Sequence, residues 1–238
     1  ASVLRGIDII PLMTTAIKTT TSAPAVLKQF IAGQWIDGST SKEIVSTNPA
    51  DTREVLARLK GADKNDALRA IEAAHKAFPA WKATTPPARG RILAKAALIL
   101  RERKEELARL MTREQGKILS EALGEMEKGI TLIEWFAGEG LRLGGITQPS
   151  ELPRNLLYTI RQPLGVVSII TPWNFPFAIP AWKIAPALIS GNCVVFKPAS
   201  LVPALAAELV RAFSDAGLPP GVLNLVLGSG SAMGDILV

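Results

Sequence analysis

The segment TPWNFP, residues 171–176, encloses one side-chain amide, Asn174, between two prolines and two aromatic residues. An amide held in a stiff apolar loop offers N–H donors without charge. That suits an oxygen that turns negative during a reaction, where one such donor is worth roughly 3–4 kcal/mol to the transition state. An asparagine in a turn can equally bond its own backbone, and both roles stand at this point. Lys197 precedes Pro198 at the end of the apolar run NCVVFK. From so rigid a position an ammonium can project into a ligand crevice and bond ribose hydroxyls or a phosphate, or it can simply cap a strand end. GSGSAMG (228–234) is a glycine-rich stretch opening a helix, whose N–H groups can face a phosphate. It departs from G-x-G-x-x-G because Gly234 arrives one residue late, so a turn that merely tolerates glycine is an equal reading.

The chain's only cysteine, Cys193, is the one residue whose type suggests a nucleophile. It sits inside a Val-rich run expected to be a buried strand, where desolvation raises a thiol's pKa and keeps it inert. Cys193 is therefore expected to fill the core. The only histidine, His75, falls on a helix and is expected to be a half-buried surface residue with no reason to approach Cys193.

The elements that must position these groups follow from the pattern. Gln29–Pro49 reads as short strands with turns at Ala32-Gly33 and Asp37-Gly38. Asp63 can cap a first helix with Leu68, Ile71, Ala74 and Phe78 on one face. Thr85 caps a second helix, with Pro86 in its first position, running through Leu93, Ala97, Leu100, Leu107 and Leu110 to Gly116. A third runs from about Ser120 to Leu143 and stops at Gly144-Gly145. Residues 155–163 are expected to form an extended arm or an edge strand.

From Pro163 the apolar runs PLGVVSII, NCVVFKP and GVLNLVL each precede a loop and a helical stretch: 176–190, 203–216, and one starting near Ser231. Such repetition implies an α/β fold, a Rossmann-like parallel sheet with crossover helices. Ligands sit at the carboxyl ends of such strands. TPWN, KPAS and GSGSAMG should therefore meet at one site. The expected division is a flexible leader over 1–28, a helical part over 29–154, the arm over 155–163, and an incomplete dinucleotide-binding core over 164–238.

Bulk properties narrow the partners. The 238 residues suffice for one large or two modest domains, and 48% hydrophobic with 20% charged residues permits a buried core. One cysteine rules out an intramolecular disulfide and fits a reducing cytoplasm. One histidine and one cysteine leave no usual zinc cage, and no metal is expected. The net charge of +6 is spread, with Lys and Arg interleaved with Glu along RERKEELARLMTREQGK as on a solvated helix face. No basic arm alternates with aromatic residues, so no nucleic-acid partner is expected; an anionic cofactor is. The most apolar stretch, 166–182, contains Asn174 and three prolines and is too broken to span a membrane. The N-terminal ASVLRGIDIIPL lacks the marks of a secretory signal, and residues 1–12 are read as upstream of a natural start at Met13.

PLGVVSIITPWNFPFAIPAWKIAPALISGNCVVFKPAS together with LPPGVLNLVLGSG resembles the cofactor-binding region of the NAD(P)-dependent aldehyde dehydrogenase superfamily. The likeness extends from FIAGQWIDG to the end of the chain. It implies oxidation of an aldehyde to an acid through a thiohemiacetal on a cysteine, with the oxyanion held by Asn174. It also implies that Ile170, Thr171, Pro172 and Trp173 line the cofactor, that Lys197 holds the adenosine ribose or its 2′-phosphate, and that Gly230 and Gly234 lie under the adenine side. Family members with a preference for NAD often carry glutamate where this chain has Ser200. Serine does not repel a 2′-phosphate, so NADP, or both NADP and NAD, is the expected cofactor. The stretch IPAWKIAP lacks the arginine that succinic-semialdehyde relatives tend to place there, which favours 2-oxoglutarate semialdehyde or a broad range of aldehydes. The resemblance implies a homo-oligomer, dimer or tetramer, and a nucleophile and base outside these residues, with the catalytic domain absent. A non-catalytic fragment that binds a dinucleotide or a partner subunit is the alternative.

Overall fold

The computed structural model describes residues 23–238. The reading of residues 1–12 and of a start at Met13 lies outside the described residues. The chain opens with short strands β1 (Ala25–Val26), β2 (Gln29–Ile31), β3 (Gln34–Ile36), β4 (Glu43–Asn48) and β5 (Asp51–Lys60). Helices α1 (Lys64–Ala83), α2 (Pro86–Glu102), α3 (Lys104–Gln115) and α4 (Leu119–Glu139) follow. After a small hairpin of β6 (Thr147–Gln148) and β7 (Leu157–Tyr158), strands and helices alternate. These are β8 (Val166–Ile170), α5 (Ala178–Ile189), β9 (Cys193–Lys197), α6 (Pro203–Asp215), β10 (Leu223–Leu225) and α7 (Gly230–Leu237).

Strands β8, β9 and β10 are parallel neighbours, in register with Val166 opposite Cys193 and Leu223 opposite Val194. The middle strand of these three, β9, paired with β8 and with β10, is buried at every residue, as its unbroken apolar run requires. The sheet is nevertheless mixed, in the order β3-β2-β10-β9-β8. Strand β2 joins β10 antiparallel, with Phe30 opposite Leu225, and so satisfies an edge that would otherwise present unpaired main-chain groups. A tight turn makes this possible: Ala32 and Gly33 both have positive φ, 53° and 82°, as a two-residue hairpin requires. A Cβ on Gly33 would lie 2.8 Å from Pro220 Cβ, and the Ala32 N–H donates to Asn224 Oδ1 at 3.0 Å. Strand β1 corrects the leader boundary at residue 28, because Ala25 and Val26 pair with Ala57 and Arg58 of β5.

The crossovers from β8 to β9 and from β9 to β10 run in the same direction across the sheet, so α5 and α6 share one face, backed by α2, α3 and α4; α1, with α7 beside it, packs on the strands from the other. Asp63 caps α1 as expected, accepting from Asn65 N at 2.8 Å and Asp66 N at 3.0 Å, while Asp66 returns a bond to the Asp63 N–H. The buried face of α1 differs from expectation. Ala74 is buried as expected, but Leu68 is exposed and Ala67 and Ala70 are buried in its place, small side chains that let this part of the helix lie close to the sheet, while Trp81 is buried at the helix's far end. The expected second helix is two helices, broken at Arg103 (φ −100°, ψ 10°), where the guanidinium pairs with Glu106 in the next turn and Glu208 of α6. Thr85 precedes α2 but makes no side-chain cap bond; Pro86 fills the first position as expected. Helix α4 ends at Glu139, one turn earlier than expected. Buried Arg89 donates to the carbonyls of Ile189, Trp81 and Thr84, closing the carboxyl end of α5. Among the described residues no helix is long and apolar enough to cross a membrane.

Candidate dinucleotide and oxyanion site

The register of the sheet sets the site. Ile170 ends β8 directly opposite Lys197, which ends β9, and the Thr171 N–H donates to the Lys197 carbonyl at 3.2 Å. The Val226 N–H donates to the Phe196 carbonyl, bringing the exit of β10 level with them. TPWN, KPAS and GSG thus leave three adjacent strands at the same edge. The Ser200 hydroxyl donates to the Gly228 carbonyl at 2.9 Å, joining the second loop to the third. Behind them lies a cavity of about 450 Å³ whose lining includes Ser46, Thr47, Glu114, Trp173, Ser200 and Leu201.

Each expected residue has a definite setting. Ile170 is part exposed and Trp173 is 51% exposed, so both can be covered by a ligand. Pro172 and Asn174 are exposed in the same loop. Thr171 is buried, and its Oγ1 has no hydrogen-bond partner among the described residues. Such an atom costs stability unless a ligand or water meets it. Lys197 corrects the expectation of an ammonium projecting into the crevice. It is only 5% exposed and donates to its neighbour's carbonyl, Pro198 O, at 3.1 Å, because an ammonium this far from water needs an acceptor. Burial pulls its pKa down from the usual lysine range. Gly230 opens α7, whose N-cap Ser229 accepts from the Ala232 N–H, and Gly234 lies one turn on. A Cβ built on either glycine meets nothing within 4 Å, which leaves open space above the helix start. Taken together, an unmatched hydroxyl, a buried ammonium at the strand end and an open glycine surface fit a nicotinamide dinucleotide.

Cys193 is fully buried as the first residue of β9, and burial pushes its thiol up to about 11, so it remains a thiol at neutral pH. His75 is exposed on α1 rather than half buried.

Three charged residues that the sequence had placed on a solvated face, or passed over, prove central. Glu114, in the last turn of α3, is 4% exposed. It accepts from the Ala204 and Leu205 N–H groups at 2.8 and 3.0 Å, capping α6, and from the Ser46 hydroxyl at 3.1 Å. Burial drives its carboxyl up to about 7, with those donors pulling the other way. Glu125 of α4 accepts from the Phe177 and Ala178 N–H groups at 2.9 and 3.0 Å, and is paired with Lys117. Lys117 also donates to the Asn174 carbonyl at 3.1 Å. Their only sequence signal is acidic and basic residues falling next to apolar helix positions.

The aldehyde dehydrogenase family matches this chain over residues 35–238. The chain is 45% identical to alpha-ketoglutarate semialdehyde dehydrogenase of Haloferax volcanii over 207 residues, 87% of this chain and 43% of that protein. It is likewise 45% identical to the NADP(+) succinate-semialdehyde dehydrogenase of Escherichia coli over 208 residues, again 87% and 43%. Among solved structures, an NADP-dependent enzyme of E. coli superposes with a TM-score of 0.85 at 42% identity, over 89% of this chain and 44% of that one. Betaine aldehyde dehydrogenase of Staphylococcus aureus in complex with NAD+ gives a TM-score of 0.85 at 35% identity, over 88% and 42%. The chain spans less than half the length of these relatives. With a family match that takes in all three strand-end loops, this chain belongs to the aldehyde dehydrogenase family.

Proposed function

We propose that this chain supplies the dinucleotide site and the oxyanion donor of an enzyme that oxidises an aldehyde, in particular a semialdehyde, to a carboxylic acid. The observation that carries the reading is the convergence of TPWN, KPAS and GSG at one sheet edge, with Thr171 Oγ1 unmatched and the surface over Gly230 and Gly234 open. A nicotinamide dinucleotide, when bound, supplies the hydride acceptor. Ile170, Thr171, Pro172 and Trp173 line it, Ser200 and Lys197, once its ammonium turns from the Pro198 carbonyl, hold the adenosine ribose end, and Gly230 and Gly234 let it lie close to α7. Asn174 donates its side-chain N–H to the oxygen of the substrate carbonyl as that oxygen gains charge on nucleophilic attack. The attacking thiol of the thiohemiacetal belongs to a cysteine outside this chain, since Cys193 is sequestered, and the base that activates the hydrolytic water likewise lies outside it.

NADP is the favoured cofactor, with NAD as an alternative, because Ser200 stands where a carboxylate would repel a 2′-phosphate and Lys197 attracts one. Similarity to the alpha-ketoglutarate semialdehyde dehydrogenase supports 2-oxoglutarate semialdehyde as substrate. The exposed apolar side chains Leu152, Leu156, Leu157, Tyr158 and Ile160 support a homo-oligomer joined through the β6–β7 hairpin. A cytoplasmic setting suits the single buried thiol. The test is a titration of the protein with NADP and with NAD, followed through tryptophan fluorescence, since Trp173 stands half exposed at the site. Tighter binding of NADP is expected; NAD binding at least tenfold tighter overturns the preference, and no binding of either overturns the reading.

A further inference from the structure

The loop that presents Asn174 is not held by the sheet alone. Lys117 and Glu125 form an ion pair with side chains 10% and 1% exposed, and each partner grips the loop at a different place. Lys117 Nζ donates to the Asn174 carbonyl at 3.1 Å and stands 4.5 Å from the centroid of the Phe175 ring. Glu125 Oε1 accepts from the N–H groups of Phe177 and Ala178, fixing the start of α5. One helical turn past Glu125, α4 carries Gly129, where a Cβ would lie 2.4 Å from the Phe177 ring, so the helix closes onto the loop without a side chain between them. The main chain from Asn174 to Ala178 is thereby anchored at its carbonyl end by a cation and at its N–H end by an anion. The two anchors are themselves paired.

A buried ion pair of this kind contributes little net stability, because desolvation of both charges offsets their attraction. Its geometry, however, fixes the main chain that carries Asn174, and an oxyanion donor works only when it is aimed beforehand at the place where charge develops. We propose that Lys117 and Glu125 are positioning residues for Asn174, setting the direction of its amide through the Asn174 carbonyl and the first turn of α5. This rests on the reading of Asn174 as the oxyanion donor.

The test is a double-mutant cycle on kcat in the complete protein that carries this chain, with dinucleotide affinity measured alongside. Asn174→Ala is expected to lower kcat by roughly 100- to 1,000-fold. Lys117→Met and Glu125→Gln are each expected to lower kcat by roughly 10- to 100-fold, with the aldehyde KM and the dinucleotide Kd within about threefold of the parent, and Lys117→Arg is expected to recover most of the loss. In the Asn174→Ala background both substitutions should have almost no further effect, because there is no amide left to aim. Glu125→Gln keeps an acceptor for the two N–H groups, so it reports on the pair even where Lys117→Met fails to fold. A full additive loss in the Asn174→Ala background, or undiminished kcat in Glu125→Gln, overturns the proposal while leaving Asn174 in its role. An Asn174→Ala enzyme with undiminished kcat overturns the oxyanion reading itself, and the positioning role with it.

Discussion

Replacing Glu114 by glutamine should change how the stability of this protein depends on pH. In the unfolded chain this carboxyl ionises near 4.5, and in the fold burial holds it up to about 7. Between those values the unfolded chain has released a proton that the folded chain keeps, so raising the pH favours unfolding. The stabilising contribution of the protonated group is complete below about 4.5 and is lost as the pH rises through about 7. The gap corresponds to about 3 kcal/mol. Glutamine keeps an acceptor for the Ala204 or Leu205 N–H and has no proton to lose. The variant should therefore gain on the parent by about 2.5 kcal/mol of that total between pH 5 and pH 8, even where it is less stable at pH 5 through loss of a bond to α6 or Ser46. For a chain of this size that is on the order of 10 °C in the midpoint difference. Urea unfolding of both proteins at half-unit pH steps gives the difference curve directly, since every other titrating group is common to the two. Parallel curves, with the same slope for parent and variant, would refute the reasoning.

Two further outcomes follow from close contacts. Gly129→Ala should cost roughly 1–3 kcal/mol, because the new methyl meets the fully buried Phe177 ring 2.4 Å away; thermal unfolding with a midpoint unchanged within error would show that the ring gives way freely. Cys193 should resist a thiol reagent such as dithionitrobenzoate at pH 8 until denaturant is added, and stoichiometric labelling of the native protein would place the thiol nearer the surface than β9 puts it.

Much of the arrangement can be read from residue types. Runs such as VVSII and CVVFK, β-branched and free of alternation, announce strands covered on both sides, and the loops after them follow by topology. Other features are hidden for identifiable reasons. Arg103 is neither glycine nor proline, and the break it marks accompanies ion pairs with Glu106 and with Glu208 of α6. Leu68 looked like a core residue by spacing, but the neighbouring alanines face inward because the sheet stands too near for anything larger. Glu114 and Glu125 read as solvated because a carboxylate on an amphipathic helix usually is; their partners are main-chain N–H groups at Ala204 and Phe177, which carry no mark in the sequence. Lys197 was legible as a strand-end cation but not in its pose, which depends on how little water reaches it.

The pairing of β2 with β10 has a bearing on how the chain is made. Gln29 donates to the Leu227 carbonyl across 198 positions of sequence, and Phe30 beside it waits for Leu225. At about 5–20 residues per second of synthesis, roughly 10–40 s separate the appearance of the two partners at the ribosome. Throughout that interval the N-terminal hairpin has an unpaired edge and two large apolar side chains, Phe30 and Ile31, with nowhere to bury them. Closing the sheet must therefore wait until β10 has emerged, and until then the early hairpin depends on the helices made in between to cover its apolar face.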